Sequence, residues 1–416
     1  MKNIILDKAI VESVSQSFEQ RLLKEQTPIP PQQPVKIGFG KKLKYFVSLI
    51  IQNIKNLKLP LSSKEKPLNK KALYTEAVKR LKHRMQRDDS MIDSLFVQQP
   101  DKSALIYLAI RHLRRGLSPV QTKALMKKLL MHSLWSSMDI QRRGIDLLLG
   151  DAKVSDESYL DSSKQYIFCS GHLGPHQLAP IILAKLGYKM CIVIAGEFID
   201  ECQIMNQNCE SVCDEYGWPC EMVLLSASDP MVVKKMLRYK NDGYSLFLYF
   251  DGNAGVGGVT RRDDKLISLP FLDANIMVRK GLDSIARMTK LPVALLECKR
   301  ESIVQRTLII EAAITPELLN RESKKDKLFL TKKAYQYVQE RVAKEPYNWD
   351  SFLHCYYWLK PEDINSDDYQ QGKYIIKQSD NSAKFDDTIF DILNYSDGQY
   401  LVNINDLNHY KLPASP

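Results

Sequence analysis

Residues 166–187 read YIFCSGHLGPHQLAPIILAKLG, and the reading of this stretch decides the fold. The apolar run Tyr166-Ile167-Phe168 has the length and composition of a buried strand. Leu178 to Leu186 reads as a short helix closed by Gly187. Between them lies a Gly-rich turn holding His172, which a strand-to-helix connection places at the carboxyl edge of a sheet, where α/β folds build their sites.

Working outward, apolar strand-like runs recur at Cys191–Ala195, Glu221–Leu225, Ser245–Phe250, Pro292–Cys298 and Thr307–Ala312. Helical patterns fall between most of them, at Asp229–Tyr239 and Asn275–Lys290, with a final helix over Lys332–Ala343. Strands alternating with helices predict an α/β sandwich with a largely central sheet. Upstream, Lys71 to Leu149 has 3.6-residue periodicity and reads as a helical layer, with Ser118-Pro119 as a helix start. Residues 27–34, TPIPPQQP, read as a linker, and Lys41–Leu57 reads as an amphipathic helix with lysines at both ends. The tail offers strand candidates at Gln399–Ile404 and His409–Leu412. Four regions follow: a basic segment with linker and amphipathic helix (1–60), a helical region (61–150), an α/β core (151–361) and an acidic appendage (362–416).

At 416 residues with 44% hydrophobic content, the chain can bury a sizeable core. Its formal charge of +10 is unevenly placed: residues 1–150 carry 28 Lys/Arg against 12 Asp/Glu, so +16 resides in the first third. An anionic partner is expected, either an acidic protein or a membrane surface. Nucleic acid is not expected, because no recognition helix, zinc-finger spacing or aromatic RNA-binding signature accompanies the charge. The start MKNIILDKAIVES lacks the apolar core of a signal peptide, no run is long enough to span a bilayer, and the eight cysteines read as reduced thiols. A cytoplasmic location follows as the expectation, with a peripheral position at the membrane as its variant. Cys202, Cys209, Cys213 and Cys220 match no zinc spacing and fit one helix face, so no metal is expected.

Three segments together resemble the bacterial lipid A biosynthesis acyltransferases, relatives of the lysophospholipid acyltransferases. FCSGHLGPHQLAPIILAKLGYKMCIVIA is similar to the family's strand, H-x-G-x-x-E turn, helix and strand. YSLFLYF followed by Asp251-Gly252-Asn253, then Ser268 to Asp273 and Ile285 to Val293, looks like its Asp-containing loop, Pro-Phe segment and helix end. Glu345 to Trp349 with Tyr357 to Lys360 is similar to its closing signature. The resemblance covers residues 140–360 and implies a glycerolipid-acyltransferase-like sandwich. It also implies transfer of a fatty acyl group from acyl carrier protein or coenzyme A to an amine or hydroxyl acceptor.

That chemistry asks for a base to take the acceptor's proton and for donors to the oxyanion. His172 suits the first role, and the Leu173 and Gly174 N–H groups are candidates for the second. The family's carboxylate five residues after the histidine is here Gln177, whose amide oxygen can still accept from the imidazole and orient it. Asp251 or Glu197 is available to supply the missing charge, and His176 to share the base role. Gly174, His176, Asp251, Gly252 and Asn253 are expected to line the substrate site, with the thioester as co-substrate and no cofactor. A catalytically degenerate scaffold that keeps the acyl pocket is the alternative.

Overall fold

The computed structural model describes residues 67–87, single positions between 106 and 117, residues 119–252 and 265–358, and short strands between 361 and 411. The amphipathic segment 41–57, residues 1–66 in general, and Asn253 lie outside the described residues.

Helices α1 (Pro67–Arg87), α2 (Pro119–Asp139) and α3 (Arg142–Gly150) precede the sheet. The chain then runs through β1 (Lys153–Val154), β2 (Ile167–Ser170), α4 (Ala179–Lys185), β3 (Met190–Ile194), α5 (Ile199–Tyr216), β4 (Met222–Ser226), α6 (Val232–Asn241) and β5 (Ser245–Tyr249). A hairpin of β6 (Leu266–Phe271) and β7 (Ala274–Arg279) follows, then α7 (Gly281–Thr289), β8 (Val293–Arg300), β9 (Arg306–Ile310), α8 (Pro316–Lys325) and α9 (Phe329–Lys344). The molecule is α/β, built on a mixed seven-stranded sheet of order β1-β9-β8-β2-β5-β3-β4. The strands from β8 to β4 in that order are parallel, and β9 runs antiparallel to β8.

β2 is the central strand, and all four of its residues are buried. That burial on both faces is why its sequence is a continuous apolar run rather than an alternating one. From β2 the chain moves outward to β3 and β4, returns to β5 beside β2, and later adds β8 on β2's other side. The change of direction makes the carboxyl end of β2 a topological switch point, where a crevice opens between neighbouring connections.

One sequence expectation is corrected here. Asn275–Lys290 is not one helix: residues 274–279 form β7, with Ile276 and Val278 buried, and the helix starts only at Gly281. Separately, across position 150, where the sequence texture changes, a single core runs from Tyr74 and Val78 on α1 through Leu129 and Trp135 on α2 to the sheet and on to Trp358.

That junction carries a buried ion network. Asp139, at the end of α2, accepts from Arg306 Nη2 at 2.9 Å and Arg306 Nε at 3.3 Å, and from Arg300 Nη2 at 3.1 Å. The Tyr74 hydroxyl also donates to Asp139 and accepts from Trp135 Nε1 at 3.1 Å. Burying such charges is tolerable only when they are paired and hydrogen-bonded, and here the partners come from α1, α2, β8 and β9.

At the C-terminal end a second sheet pairs Thr388–Tyr395 antiparallel with Gly398–Asn403, which pairs with His409–Lys411. The two tail strands expected from sequence fall within it.

Candidate functional site

The register of the central strands assembles the site. Ser170 pairs with Tyr249 across β2 and β5 in parallel, so the residues two positions beyond each, His172 and Asp251, emerge side by side at the carboxyl edge. His172 Nδ1 lies 2.7 Å from Asp251 Oδ1. The other carboxylate oxygen, Oδ2, accepts from the His172 backbone N–H at 2.9 Å, Trp349 Nε1 at 2.8 Å and Ser351 Oγ at 3.2 Å. Asp251 is fully buried, while the His172 side chain keeps 27% exposure.

Burial works against charge on both groups, but their mutual attraction outweighs it. Burial lowers the His172 pKa, and the Asp251 carboxylate and its hydrogen bond reverse that, leaving the imidazole above its ordinary value. For Asp251, burial raises the pKa, and the His172 charge with the bonds from His172 and Trp349 brings it below the usual carboxylate range. With Nδ1–H directed at the carboxylate, the neutral ring carries its lone pair on Nε2.

The turn itself is sterically set. Gly174 has φ +58°, and a Cβ there would stand 2.4 Å from the Cys298 carbonyl oxygen of β8. At Gly171 a Cβ would come within 2.7 Å of Val338 on α9 and 3.2 Å of Asp251 Oδ2. Both positions are glycine because neighbouring elements close on the backbone.

The segment after α9 locks this turn. Leu173 and Trp349 form an antiparallel bridge, in which Gly174 N–H donates to Asn348 O at 2.6 Å and Asp350 N–H to His172 O at 3.0 Å. The Trp349 indole is buried against Phe271 of the hairpin, ring centroids 4.9 Å apart, which fixes the donor aimed at Asp251. Asp350 has its carboxyl pushed up to about 7 by burial.

Several residues singled out in the sequence take a different role. Asp251, not Gln177, holds the imidazole; the Gln177 Oε1 is buried without a hydrogen-bond partner. Asp251 does not line an open substrate site, as the sequence predicts, but stands behind the histidine, sealed from solvent. The Gly174 N–H already serves Asn348 and does not point to an oxyanion. His176 is buried rather than presented to a substrate, with its ring 4.7 Å from that of His172 and its Nδ1 3.2 Å from the Gly174 carbonyl. Burial, then the charge of His172, lowers the His176 pKa to about 3, which makes it a neutral packing partner and a poor base. Gly252 sits against the imidazole, a Cβ there falling 3.3 Å from His172 Cε1. Asn253 and the Glu197 side chain lie outside the described residues.

Trp349 and Ser351, which donate to Asp251, are the members of this cluster that sequence reading missed. The closing segment containing Trp349 stands out in the sequence, but nothing there ties an indole N–H to a carboxylate about a hundred residues earlier. A scan against protein-family models finds no match for the chain, and a search of curated proteins finds none either.

Proposed function

We propose that the chain is an acyltransferase that moves a fatty acyl group from an acyl carrier protein or coenzyme A thioester to an amine or hydroxyl acceptor. The observation that carries this reading is the His172–Asp251 pair at the carboxyl end of the central strand. A buried carboxylate fixes one imidazole nitrogen and stabilises the imidazolium, so the other nitrogen can act as base.

In this scheme Nε2 of His172 takes the acceptor's proton as the acceptor nitrogen or oxygen attacks the thioester carbonyl. The tetrahedral oxyanion then collapses, the C–S bond breaks, and the proton on His172 passes to the departing thiolate. No cofactor beyond the thioester is required. The motif resemblance over residues 140–360 supports the substrate class and a glycerolipid-acyltransferase-like arrangement of the sheet. One difference from the family pattern is specific: the carboxylate comes from the end of β5 rather than from the turn that bears the histidine.

The +16 charge of residues 1–150 favours an acidic carrier protein as donor, with an anionic membrane surface as the other candidate partner and no role for nucleic acid. Among the described residues no helix is long and apolar enough to cross a membrane. A cytoplasmic or membrane-peripheral site of action is part of the same proposal.

The test is acyl transfer from radiolabelled acyl carrier protein and from acyl-coenzyme A to a panel of amine and hydroxyl acceptors. His172→Ala is expected to lower turnover by about 10²–10⁴-fold. Gln177→Ala is expected to keep most of it, since Asp251 already holds the ring. Acyl binding with no turnover for any acceptor in the unaltered protein would favour the scaffold reading instead.

A further inference from the structure

Away from the His172 turn in sequence, three cysteine thiols converge. Cys209 and Cys213 lie one helical turn apart on α5, and both are buried. The helix ends at Gly217, whose φ of +65° lets the chain reverse, with Trp218 N–H donating to Cys213 O at 2.9 Å. The reversal returns Cys220 to the same point. Cys209 Sγ lies 3.9 Å from Cys213 Sγ and 3.3 Å from Cys220 Sγ, and all three sulfurs fall within 4.8 Å of one another.

Sulfurs bound to one tetrahedral zinc ion at about 2.3 Å are about 3.8 Å apart, close to this spacing. A disulfide would use two of the sulfurs and leave the third in place without a purpose. Packing alone would account for buried thiols but not for a helix-ending turn that brings a third, half-buried thiol onto the first two. Three thiolates and one Zn²⁺ carry a net negative charge. The Lys185 ammonium stands at the same loop, 4.4 Å from the centroid of the Trp218 ring.

We propose that Cys209, Cys213 and Cys220 form a tricysteinyl zinc site, with the partly exposed side at Cys220 leaving the fourth position to water. Binding forms three Zn–S bonds and releases the three thiol protons to solvent. The site clamps the end of α5 to the loop that leads into β4 and is independent of the acyl-transfer reading. Cys202, the fourth cysteine of the stretch, is not part of it. The spacing disguises the site because Cys209-x3-Cys213 has no second closely spaced pair to complete a zinc-finger pattern; the helix period joins Cys209 to Cys213, and only the turn at Gly217 brings Cys220 to them.

The test uses the full chain, reduced and stripped of metal, titrated with Co²⁺ and then Zn²⁺. One equivalent of Co²⁺ is expected to produce thiolate-to-cobalt charge-transfer absorption that Zn²⁺ abolishes by displacement, and Zn²⁺ is expected to raise the melting temperature. Loss of one ligand should weaken binding by more than the roughly 10–100-fold typical of removing a mere outer-shell partner, so Cys220→Ser and Cys213→Ser should both do so. Cys202→Ser should bind as the unaltered chain does. Cys220 is half-buried, so its serine variant keeps the test open if Cys213→Ser fails to fold. Absence of the charge-transfer band, an unchanged affinity in Cys220→Ser, or a Cys209–Cys220 disulfide as the state isolated without reductant would each overturn the proposal.

Discussion

At the scale of single residues, the site's behaviour turns on Asp251. A fully buried carboxylate is destabilising unless its oxygens are occupied, and here both are, three donors meeting Oδ2 and the imidazole meeting Oδ1. The His172 pKa is raised in the folded protein, so a base mechanism gives activity that rises with pH, with a midpoint above the ordinary histidine value of about 6.5. Asp251→Asn removes the charge that raises it. The midpoint should then move down, and turnover should fall by about 10⁴-fold, as expected when an amide no longer selects the tautomer or stabilises the imidazolium. The pH dependence of kcat/KM for both proteins checks this, and a limb that stays in place would separate Asp251 from the base. Stability follows the same pair with opposite signs. The Asp251 contribution is present above the unfolded carboxylate pKa and is lost as pH falls through its depressed folded value. The His172 contribution is present below the unfolded imidazole pKa and is lost as pH rises through its elevated one. His172 was legible because a glycine-rich turn after a buried strand puts a histidine at the sheet's carboxyl edge, where a polar ring has room to meet a ligand. Its partner was not, because Gln177 is near in sequence while Asp251 is near only through the register of two parallel strands.

At the scale of elements, the decisive piece is the turn between β2 and α4, held from below by β8 and from the side by the segment after α9. Gly174 combines a positive φ with a carbonyl oxygen where a Cβ would be. Gly174→Ala therefore has to move the Cys298 carbonyl or the turn, and should destabilise by more than about 1 kcal/mol. Because the Gly174 N–H to Asn348 bond holds Trp349 in place over Asp251, activity should fall further than stability alone accounts for. Urea unfolding alongside acyl-transfer rates measures both; an unaltered midpoint would show the turn to be less constrained than its geometry implies. The core strands were legible at this scale because parallel strands buried on two faces leave unbroken apolar runs. β7 was not, since its alternating Ile276 and Val278 lead into α7 with only Lys280 between the two elements. A period of two followed at once by a period of 3.6 looks like one long amphipathic segment.

At the scale of the whole molecule, the change of composition near residue 150 separates an all-helical stretch from an α/β one, while one buried core runs across it. The basic helices rest on the sheet's β8–β9 side through Asp139, whose carboxylate is shared by Arg306 and Arg300. The Arg306 side chain is fully buried and that of Arg300 is 6% exposed, so neither guanidinium can turn to water if the carboxylate is lost. Removing one partner of a buried ion pair leaves an uncompensated charge, which typically costs about 3–5 kcal/mol, more than the pair's own net worth. Asp139→Asn keeps the shape and removes the charge. It should lower global stability by about that amount, since the Tyr74 hydroxyl of α1, which accepts from Trp135, donates to the same carboxylate. A single core running from α1 to the closing segment makes the loss cooperative. Fluorescence from Trp135, in the helical layer, and from Trp349, beside Asp251, should therefore report one transition in each protein, shifted to lower denaturant in the variant. Single-tryptophan versions that retain either reporter resolve the two signals. Separate transitions for Trp135 and Trp349 in the unaltered chain would mean that the helical layer unfolds by itself and that the Asp139 network is a local contact.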